Sequence, residues 1–198
     1  MSSENPDTRT RILESAWKLL EAGSGSEVRM SDIARDAGIS RQALYLHFPK
    51  RADLLIATTR YVDEVNDVEA RLAPSRAAAS GLARLDAFIE AWGNYIPLIY
   101  GVAKALISMQ DEDEAARLAW ADRLQAVREG FEAAVAALER EGALPPNCSP
   151  KQAADLLWTM VSVENWEHLV IDCAWPQEDF VAAMKSLARR ALVAEDGR

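Results

Sequence analysis

The chain has 198 residues, of which 49% are hydrophobic, and a formal net charge of −9. This length predicts one ordinary domain with a smaller one, or two unequal domains, and the apolar content excludes a globally disordered chain. Residues 1–11 lack the apolar core of a signal peptide, no apolar run approaches the ~18 residues of a membrane span, and two cysteines are too few for a disulfide framework, so we expect a cytoplasmic protein.

Charge is distributed unevenly along the chain. Residues 1–60 carry nine Lys and Arg against eight Asp and Glu, a net charge of +1. Of the totals of 22 and 31, 13 and 23 remain for residues 61–198, a net charge of −10. The acidic balance argues against a general polyanion binder, and it directs the search for an anionic partner to the first third of the chain.

Helical periodicity recurs throughout the sequence, and no segment alternates for long with the period of a strand. We therefore expect an all-α fold. The run Gly23–Ser26 ends the first helix, Ser31 and Ser40 are the expected N-caps of two short helices, and Gly38 is expected to adopt the left-handed conformation that closes the first of them. The helices expected in this part span 8–22, 31–38, 41–48 and 51–72.

A segment rich in proline and small residues, 74–81, is the expected linker to a second set of helices. Pro97 is expected to divide two of these helices, because proline lacks an N–H and clashes with the preceding turn. Asp111 with Glu114 is an expected cap, and Ser149 with Gln152 forms a capping box. These helices are expected at 82–96, 97–109, 112–141, 150–174 and 177–194.

Two short helices joined by a glycine-containing turn form a helix-turn-helix unit, whose second helix presents its first residues to base edges in the major groove. Arg41 is suited to guanine, Gln42 to adenine and Ala43 to a thymine methyl group. Tyr45, His47, Lys50 and Arg51 are candidate phosphate donors. With the two cap residues, the candidate DNA-binding set is Ser31, Ser40, Arg41, Gln42, Ala43, Tyr45, His47, Lys50 and Arg51.

An alternative remains open on geometry alone. A helical hairpin with glycine in its turn occurs in many helical bundles, and a single surface cation is more often solvated than bound. A helical interaction module without sequence-specific DNA binding is therefore the second hypothesis. It leaves the placement of Arg41 and Gln42 and the charge asymmetry unexplained.

The combination Ile33-Ala34, Ala37-Gly38-Ile39-Ser40, Leu44-Tyr45, His47-Phe48-Pro49 and Leu54-Leu55, preceded by Arg11-Ile12-Leu13, Ala16 and Leu19, resembles the DNA-binding signature of the TetR family of transcriptional regulators. The resemblance covers about residues 8–56. One departure is Arg51, where the family usually has Lys. The resemblance implies a homodimeric, ligand-responsive repressor with a DNA-binding domain over 1–50 and a helical ligand-binding and dimerisation domain over 51–198, in which 51–72 is the connecting helix.

Aromatic residues and methionines recur in the second set of helices. Each one taken singly is more typical of core packing, but binding pockets are also lined by apolar and aromatic groups with a few polar ones. The resemblance implies a pocket in this domain, for which we expect an apolar, aromatic or polycyclic effector. The candidate ligand-binding residues are Trp92, Tyr95, Met109, Trp120, Phe131, Trp158, Glu164, Asn165 and His168.

The helix expected over 150–174 is apolar on nearly every side, which indicates burial on more than one surface. Together with the amphipathic helix expected over 177–194, it is the candidate homodimer interface, a four-helix bundle across a two-fold axis.

No enzyme motif is present. A helical di-iron site needs paired Glu-x-x-His motifs, whereas the chain has two histidines, and Glu164 and His168 are four residues apart. No P-loop, GxSxG motif or zinc-ligand spacing occurs. We expect a protein that is not an enzyme and that has no cofactor or metal, with operator DNA, a small effector and a second copy of itself as partners.

Overall fold

The computed structural model describes residues 7–23 and 28–194, and these residues form helices and no strand. The expected all-α class is confirmed. The helices, numbered in chain order, are α1 (Thr8–Ala22), α2 (Met30–Asp36), α3 (Arg41–His47), α4 (Arg51–Val65), α5 (Val68–Arg76), α6 (Gly81–Met109), α7 (Glu114–Arg140), α8 (Pro150–Met160), α9 (Val163–Trp166) and α10 (Gln177–Leu192), with a π-helical segment (Glu167–Asp172) before α10.

The described residues group into two compact units. The first comprises the residues up to Asn66 together with Ile99–Leu124, and the second comprises Asp67–Leu98 and the residues from Gln125 onward. Each unit has its own buried core. In the first unit the fully buried side chains include those of Ile12, Ile33 and Leu44, and in the second those of Leu85, Phe131 and Phe180. The functional boundary that the sequence predicts at residues 50 and 51 stays a prediction.

Local caps define the first helices. The Asp7 carboxylate accepts a hydrogen bond of 2.7 Å from the Thr10 backbone N–H at the start of α1, and Gly23 is the residue at its end. Of the run expected to stop this helix, residues 24–26 lie outside the described part of the chain. The expected end of α1 is confirmed because the helix stops at Ala22 and Gly23 is its C-cap.

The turn between α2 and α3 has the predicted geometry. Gly38 has a φ of +67°, and the Ile39 N–H donates to the Ala34 carbonyl at 3.0 Å, as in a Schellman motif. The Ser40 hydroxyl then accepts a hydrogen bond of 3.1 Å from the Ala43 N–H and caps α3. Both local predictions are confirmed.

The prediction that Ser31 caps α2 is wrong. The helix begins one residue earlier, at Met30, because the backbone N–H groups of Asp32 and Ile33 both donate to the Arg29 carbonyl. Arg29 is the N-cap residue and makes no side-chain capping bond. Burial of Met30 in the core of the unit favours this start over the capping bond that a serine supplies.

The single helix predicted over 51–72 is interrupted. α4 ends at Val65, where the Asn66 side-chain amide donates a 2.8 Å hydrogen bond to the Val62 carbonyl. Asp67 has a φ of +54°, a left-handed conformation that Asp tolerates better than most residues. The break follows from this local side-chain chemistry.

Pro74 lies inside α5, so the linker expected over 74–81 shortens to the four residues between α5 and α6. The Ser75 hydroxyl is buried and donates a 3.0 Å hydrogen bond to the Arg84 carbonyl. This bond orders a segment whose composition is typical of a flexible connection.

Pro97 does not divide α6, which runs unbroken from Gly81 to Met109. A proline inside a helix costs ~3 kcal/mol. Tyr95, Ile96 and Ile99 around it are all buried, and burying one large apolar side chain stabilises by ~1.5–3 kcal/mol. Packing therefore outweighs the local preference that the sequence indicates.

The helix predicted over 150–174 is also interrupted. Its start is as expected: Ser149 and Gln152 form a reciprocal capping box with Pro150 at the first helical position. α8 then ends at Met160, and the Ser162 hydroxyl caps α9 by accepting a 3.1 Å hydrogen bond from the Asn165 N–H. A serine that caps a new helix cannot also lie in the middle of a continuous one.

The cap predicted from Asp111 and Glu114 is wrong. α7 begins at Glu114, and the residue before it, Asp113, is the cap. The Asp113 Oδ1 atom accepts hydrogen bonds from the Ala115 and Ala116 N–H groups at 3.0 and 3.3 Å. Its second carboxylate oxygen, Oδ2, accepts from the Arg51 guanidinium.

Candidate nucleic-acid interface and effector cleft

Helix α3 has one buried side and one side that faces solvent. Leu44 is fully buried, and Ala43 is partly buried. Arg41, Gln42 and Tyr45 are exposed. The capped N-terminal end of α3 therefore presents the donors and acceptors that base edges require.

Arg41 lies along Tyr45, one helical turn away. Its Nη2 atom is 3.5 Å from the Tyr45 hydroxyl oxygen, and its guanidinium carbon is 5.5 Å from the ring centroid. A cation over an aromatic ring at an exposed site contributes ~0.5–1 kcal/mol. The ring thus orients the guanidinium and leaves most of its N–H groups for an external acceptor.

Leu46 is a feature of α3 that the sequence analysis missed. Its side chain is 80% exposed, the largest exposure among the large apolar side chains of the described residues. It lies four positions after Gln42, so the two share one face of the helix. Helical phase is the signal that identifies it, because Leu46 is out of phase with the buried Leu44 and Phe48.

The other candidates surround this face. Ser31, Ser40, His47 and Lys50 are exposed, and the Ser40 hydroxyl is occupied by its capping bond. Lys50 precedes the first residue of α4 and makes no capping bond there. The structure therefore presents Lys50 to solvent at a helix N-terminus, where an anion is also favoured by the helix dipole.

Arg51 is placed differently from its neighbour Lys50. Its side chain is 18% exposed. Its Nε and Nη2 atoms donate to the Val28 carbonyl at 3.0 and 2.9 Å, and its Nη1 atom donates to the carboxylate of Asp113. The guanidinium is directed into the first unit, where it joins α4 to the turn before α7.

The candidate ligand-binding residues are divided between the two units. Met109 and Trp120 belong to the first unit, and the other seven belong to the second. In the second unit, Trp92 donates from Nε1 to the Val161 carbonyl at 2.7 Å, and Phe131 packs edge-to-face on Phe88 with ring centroids 4.8 Å apart. These are contacts of a packed core.

Tyr95 is buried 6.1 Å from the ring of Trp92, and burial raises the pKa of its hydroxyl. Trp158 is half-buried, and the Arg128 guanidinium carbon is 5.8 Å from its ring. Within the described part of the chain, no partner accepts from the buried Nε1 of Trp158. Both aromatic side chains thus take part in packing contacts of the second unit.

The polar candidates of the second unit serve local structure. The Asn165 amide donates to the carbonyls of Thr159 and Met160 at 2.7 and 3.4 Å and closes the end of α8. Glu164 is exposed, and so is His168, whose Nδ1 atom is 2.9 Å from the Asp172 carboxylate. Their expected role in ligand binding stays a prediction.

A cleft of about 250 Å³, which includes space open to solvent, lies in the first unit. The enclosed part of it has room for about one water molecule, so it is a narrow cleft and not a formed ligand pocket. Among the candidate ligand-binding residues, Trp120 lines it. The lining residues are Thr59, Val62 and Asp63 of α4, Ile99, Val102, Ala103 and Leu106 of α6, and Trp120 and Arg123 of α7.

Two ion pairs join α4 to α7 beside this cleft. Arg123 pairs with Asp63, and their side chains are only 16% and 15% exposed. Arg60 donates to the two carboxylate oxygens of Asp122 at 2.8 and 3.4 Å. Burial, followed by repulsion from Arg60, lowers the pKa of the Arg123 guanidinium. Losing one partner of a buried pair of this kind strongly destabilises the folded protein, because the other charge is left buried and unpaired.

Residues 12–58 match the family model described as bacterial regulatory proteins, tetR family. The N-terminal segment belongs to the TetR family. The match begins inside α1, contains the helix-turn-helix of α2 and α3, and ends inside α4. It covers the whole of the exposed face of α3.

Curated relatives share this TetR segment. The nucleoid occlusion factor SlmA of a Marinomonas species is 33% identical over 64 residues, which are 32% of this chain and 32% of SlmA. The HTH-type transcriptional regulator TtgR of Pseudomonas putida is 33% identical over 72 residues, which are 36% of this chain and 34% of TtgR. The chain thus matches about a third of the length of these relatives.

The fold as a whole is similar to that of solved regulators. NalD, the secondary repressor of the MexAB-OprM multidrug efflux pump in Pseudomonas aeruginosa, superposes with a TM-score of 0.66 over 96% of this chain and 98% of NalD. The sequences are 20% identical, so the likeness extends to the fold alone.

Two further properties of the described residues bear on function. None of the described helices is long and apolar enough to cross a bilayer. No group of three or more His, Cys, Asp or Glu side chains in residues 7–23 and 28–194 is arranged to hold a metal ion.

Proposed function

We propose that this protein is a cytoplasmic transcriptional regulator, not an enzyme, that binds an operator as a homodimer and responds to a small apolar effector. The observation that carries the proposal is the exposed N-terminal end of α3, where Arg41 and Gln42 project from a capped helix in a segment of the TetR family. A repressor role is supported by NalD, which has the same fold and is named a repressor.

Each residue of the face has a separate task in this proposal. Arg41 reads a guanine, Gln42 an adenine, and Ala43 with Leu46 forms the apolar contact for a thymine methyl group. Tyr45, His47 and Lys50 donate to phosphates and fix the register of the helix on the duplex. Base contacts supply the sequence preference, whereas phosphate contacts supply most of the affinity that salt weakens.

The homodimer is proposed to form through α8, the π-helical segment and α10. Leu156, Ile171 and Leu187 in these elements are large apolar side chains that the single chain leaves exposed. Leu169, in the π-helical segment, is partly buried. When it is bound to DNA, a two-fold dimer presents its two recognition helices one DNA turn apart, ~34–36 Å, or a multiple of it. The operator is then a pseudo-palindrome.

The cleft of the first unit is the proposed starting point of the effector site. Its walls are apolar except for Thr59 and the pair Asp63–Arg123, which suits an aromatic ligand packed on Trp120. Helix α4 lines the cleft and begins beside Lys50, so a ligand that widens the cleft also shifts the helix that follows the recognition helix. A coupling of ~1–3 kcal/mol would change operator affinity roughly 5- to 150-fold.

The experiment is a selection of bound duplexes from a random DNA library, followed by affinity measurements on the selected and a scrambled sequence over a range of salt. We expect a pseudo-palindromic site that binds ~10³-fold or more tightly than the scrambled duplex. Equal affinity for both would support the interaction module instead.

Trp fluorescence of the wild type and of Trp120→Phe, titrated with polycyclic aromatic compounds, tests the cleft.

A further inference from the structure

We propose that Arg51 is a positioning residue, which fixes the start of α4 to the start of α7, and that it does not bind a DNA phosphate. This inference rests on the proposed DNA binding. It assigns the two adjacent cations Lys50 and Arg51, which look equivalent in the sequence, to different tasks.

The Arg51 guanidinium makes its hydrogen bonds within its own unit. Three of its N–H donors are used within the unit: Nε and Nη2 on the Val28 carbonyl and Nη1 on Asp113. Arg51 and Asp113 are each only 18% exposed. Three of the five N–H donors of Arg51 are therefore committed within its own unit, whereas Lys50 is exposed and makes no capping bond.

Asp113, the partner of Arg51, contacts both α4 and α7. One oxygen of Asp113 caps α7 by accepting from Ala115 and Ala116, and the other oxygen accepts from Arg51. A single carboxylate therefore fixes the first turn of α7 and the first turn of α4 together. The ion pairs that Asp122 and Asp63 make between these helices lie farther along α4.

Arg51 lies next to the helix-turn-helix motif in the chain. Only Phe48, Pro49 and Lys50 separate it from the end of α3, so the orientation of the recognition helix depends on where α4 starts. Val28 leads into α2 through Arg29, so the same guanidinium also anchors the approach to the first helix of the motif. The Arg51 side chain thus anchors the segment before α2, while its backbone follows the end of α3 by a short link.

Arg and Lys are not equivalent in a contact of this geometry. A planar guanidinium donates in two directions at once, to the Val28 carbonyl and to the carboxylate, whereas a Lys ammonium is a compact charge without that fork. A phosphate contact would tolerate Lys at this position. A positioning contact of this geometry would not.

The test compares Arg51→Lys, Arg51→Gln and Asp113→Asn with the matched control Lys50→Gln in the full-length protein. Asn at position 113 keeps an N-cap for α7, so this variant removes the charge and preserves the helix start. The selected operator and a scrambled duplex are titrated with each variant at several salt concentrations. Circular dichroism and thermal unfolding identify the folded fraction to which each affinity refers.

We expect Lys50→Gln to reduce the slope of log affinity against log salt by ~0.9, the value for one lost phosphate contact. Arg51→Lys, Arg51→Gln and Asp113→Asn should leave the slope unchanged and lower operator affinity roughly 2- to 30-fold, with less effect on the scrambled duplex. Arg51→Gln combined with Asp113→Asn should be no weaker than the weaker single variant, because both remove the same contact.

A slope reduced by ~0.9 in Arg51→Gln, together with wild-type affinity in Arg51→Lys, would overturn the proposal. Hydrogen exchange of the DNA-free protein gives a second, independent readout. Amides in the first turns of α4 and α7 should exchange faster in Arg51→Lys and Asp113→Asn than in the wild type, and unchanged exchange in both would also overturn it. Wild-type protein that binds no operator specifically would instead refute the proposed function, while the exchange result would still decide the contact.

Discussion

The indole N–H of Trp92 donates a 2.7 Å hydrogen bond to the Val161 carbonyl, at the point where α8 ends. In a continuous helix this carbonyl would accept from the Asn165 N–H, which bonds to the Ser162 hydroxyl instead. Trp92 therefore satisfies a carbonyl that the interruption leaves without a helical partner. Its indole has a structural task in the second unit that the sequence did not indicate.

Trp92→Phe should lower the free energy of unfolding by ~1–3 kcal/mol, the cost of a buried acceptor left without a donor. Urea unfolding followed by circular dichroism measures the change. Trp17→Phe is the matched control, because its Nε1 donates to the exposed carboxylate of Glu21, which water can replace. Equal effects of the two substitutions would contradict the assigned role of the Val161 carbonyl.

Replacing Arg41 with Ala should cost ~1–3 kcal/mol of operator binding and relax the preference at one base position in each half-site. Tyr45→Phe is the companion variant, since it keeps the ring under the guanidinium and removes the hydroxyl. We expect Tyr45→Phe to retain the base preference. If Arg41→Ala bound the operator as tightly as the wild type, the base-reading role of Arg41 would be wrong.

Leu46→Ala should leave thermal stability unchanged, because the side chain is 80% exposed. It should weaken operator binding by up to ~2 kcal/mol if the side chain is buried against the duplex. Replacing each operator thymine by uracil in turn locates the contact: one uracil should weaken the wild type and leave Leu46→Ala unaffected. Indifference of the wild type to every uracil would exclude a methyl contact.

Gly130→Ala should destabilise the second unit. An added Cβ would lie 2.0 Å from the Cζ atom of Phe88, whose ring is held against Phe131. The overlap costs ~1–3 kcal/mol, which exceeds the gain of ~1 kcal/mol in helix propensity. Gly101→Ala is the control, since the nearest atom is the flexible Glu21 side chain at 3.1 Å. Thermal unfolding should show a lower midpoint for Gly130→Ala alone.

A charge at Leu187 or Leu169 should dissociate the homodimer. Leu187 is 47% exposed in the single chain, so Leu187→Glu should preserve the fold while it places a charge in the proposed interface. Ser186→Glu, at the neighbouring exposed position of α10, controls for the added charge. Analytical ultracentrifugation should give a dimer for the wild type and Ser186→Glu and a monomer for Leu187→Glu. A monomeric wild type at micromolar concentration would refute the interface.

Signals between neighbouring residues allowed much of the fold to be predicted. The left-handed Gly38, the Ser40 cap and the Ser149–Gln152 box each depend on residues no more than a helical turn apart. Their energies are decided by the local backbone and side chains, so the sequence by itself determined them. The exposed side of α3 could be predicted for the same reason, because helical phase separates Leu44 from Arg41 and Gln42.

The wrong predictions lie where packing or a nearby side chain overrides the signal in the sequence. Pro97 remains inside α6 because the residues around it are buried, and α2 starts at Met30 instead of after Ser31 because Met30 enters the core. The break at Asn66 and Asp67 has a local cause, but the apolar pattern across it is typical of one helix. Periodicity reports which side of a helix is apolar and not where the helix ends.

Only the tertiary structure decided what surrounds Arg51 and where a cleft forms. Arg51 and Asp113 are 62 positions apart, and the residues that line the cleft come from α4, α6 and α7. A single sequence contains no signal for a pair at that separation, since the contact energy depends on how three helices pack. The sequence therefore determined that residue 51 is a cation, and the fold decided that this cation binds a carboxylate and a carbonyl of its own chain.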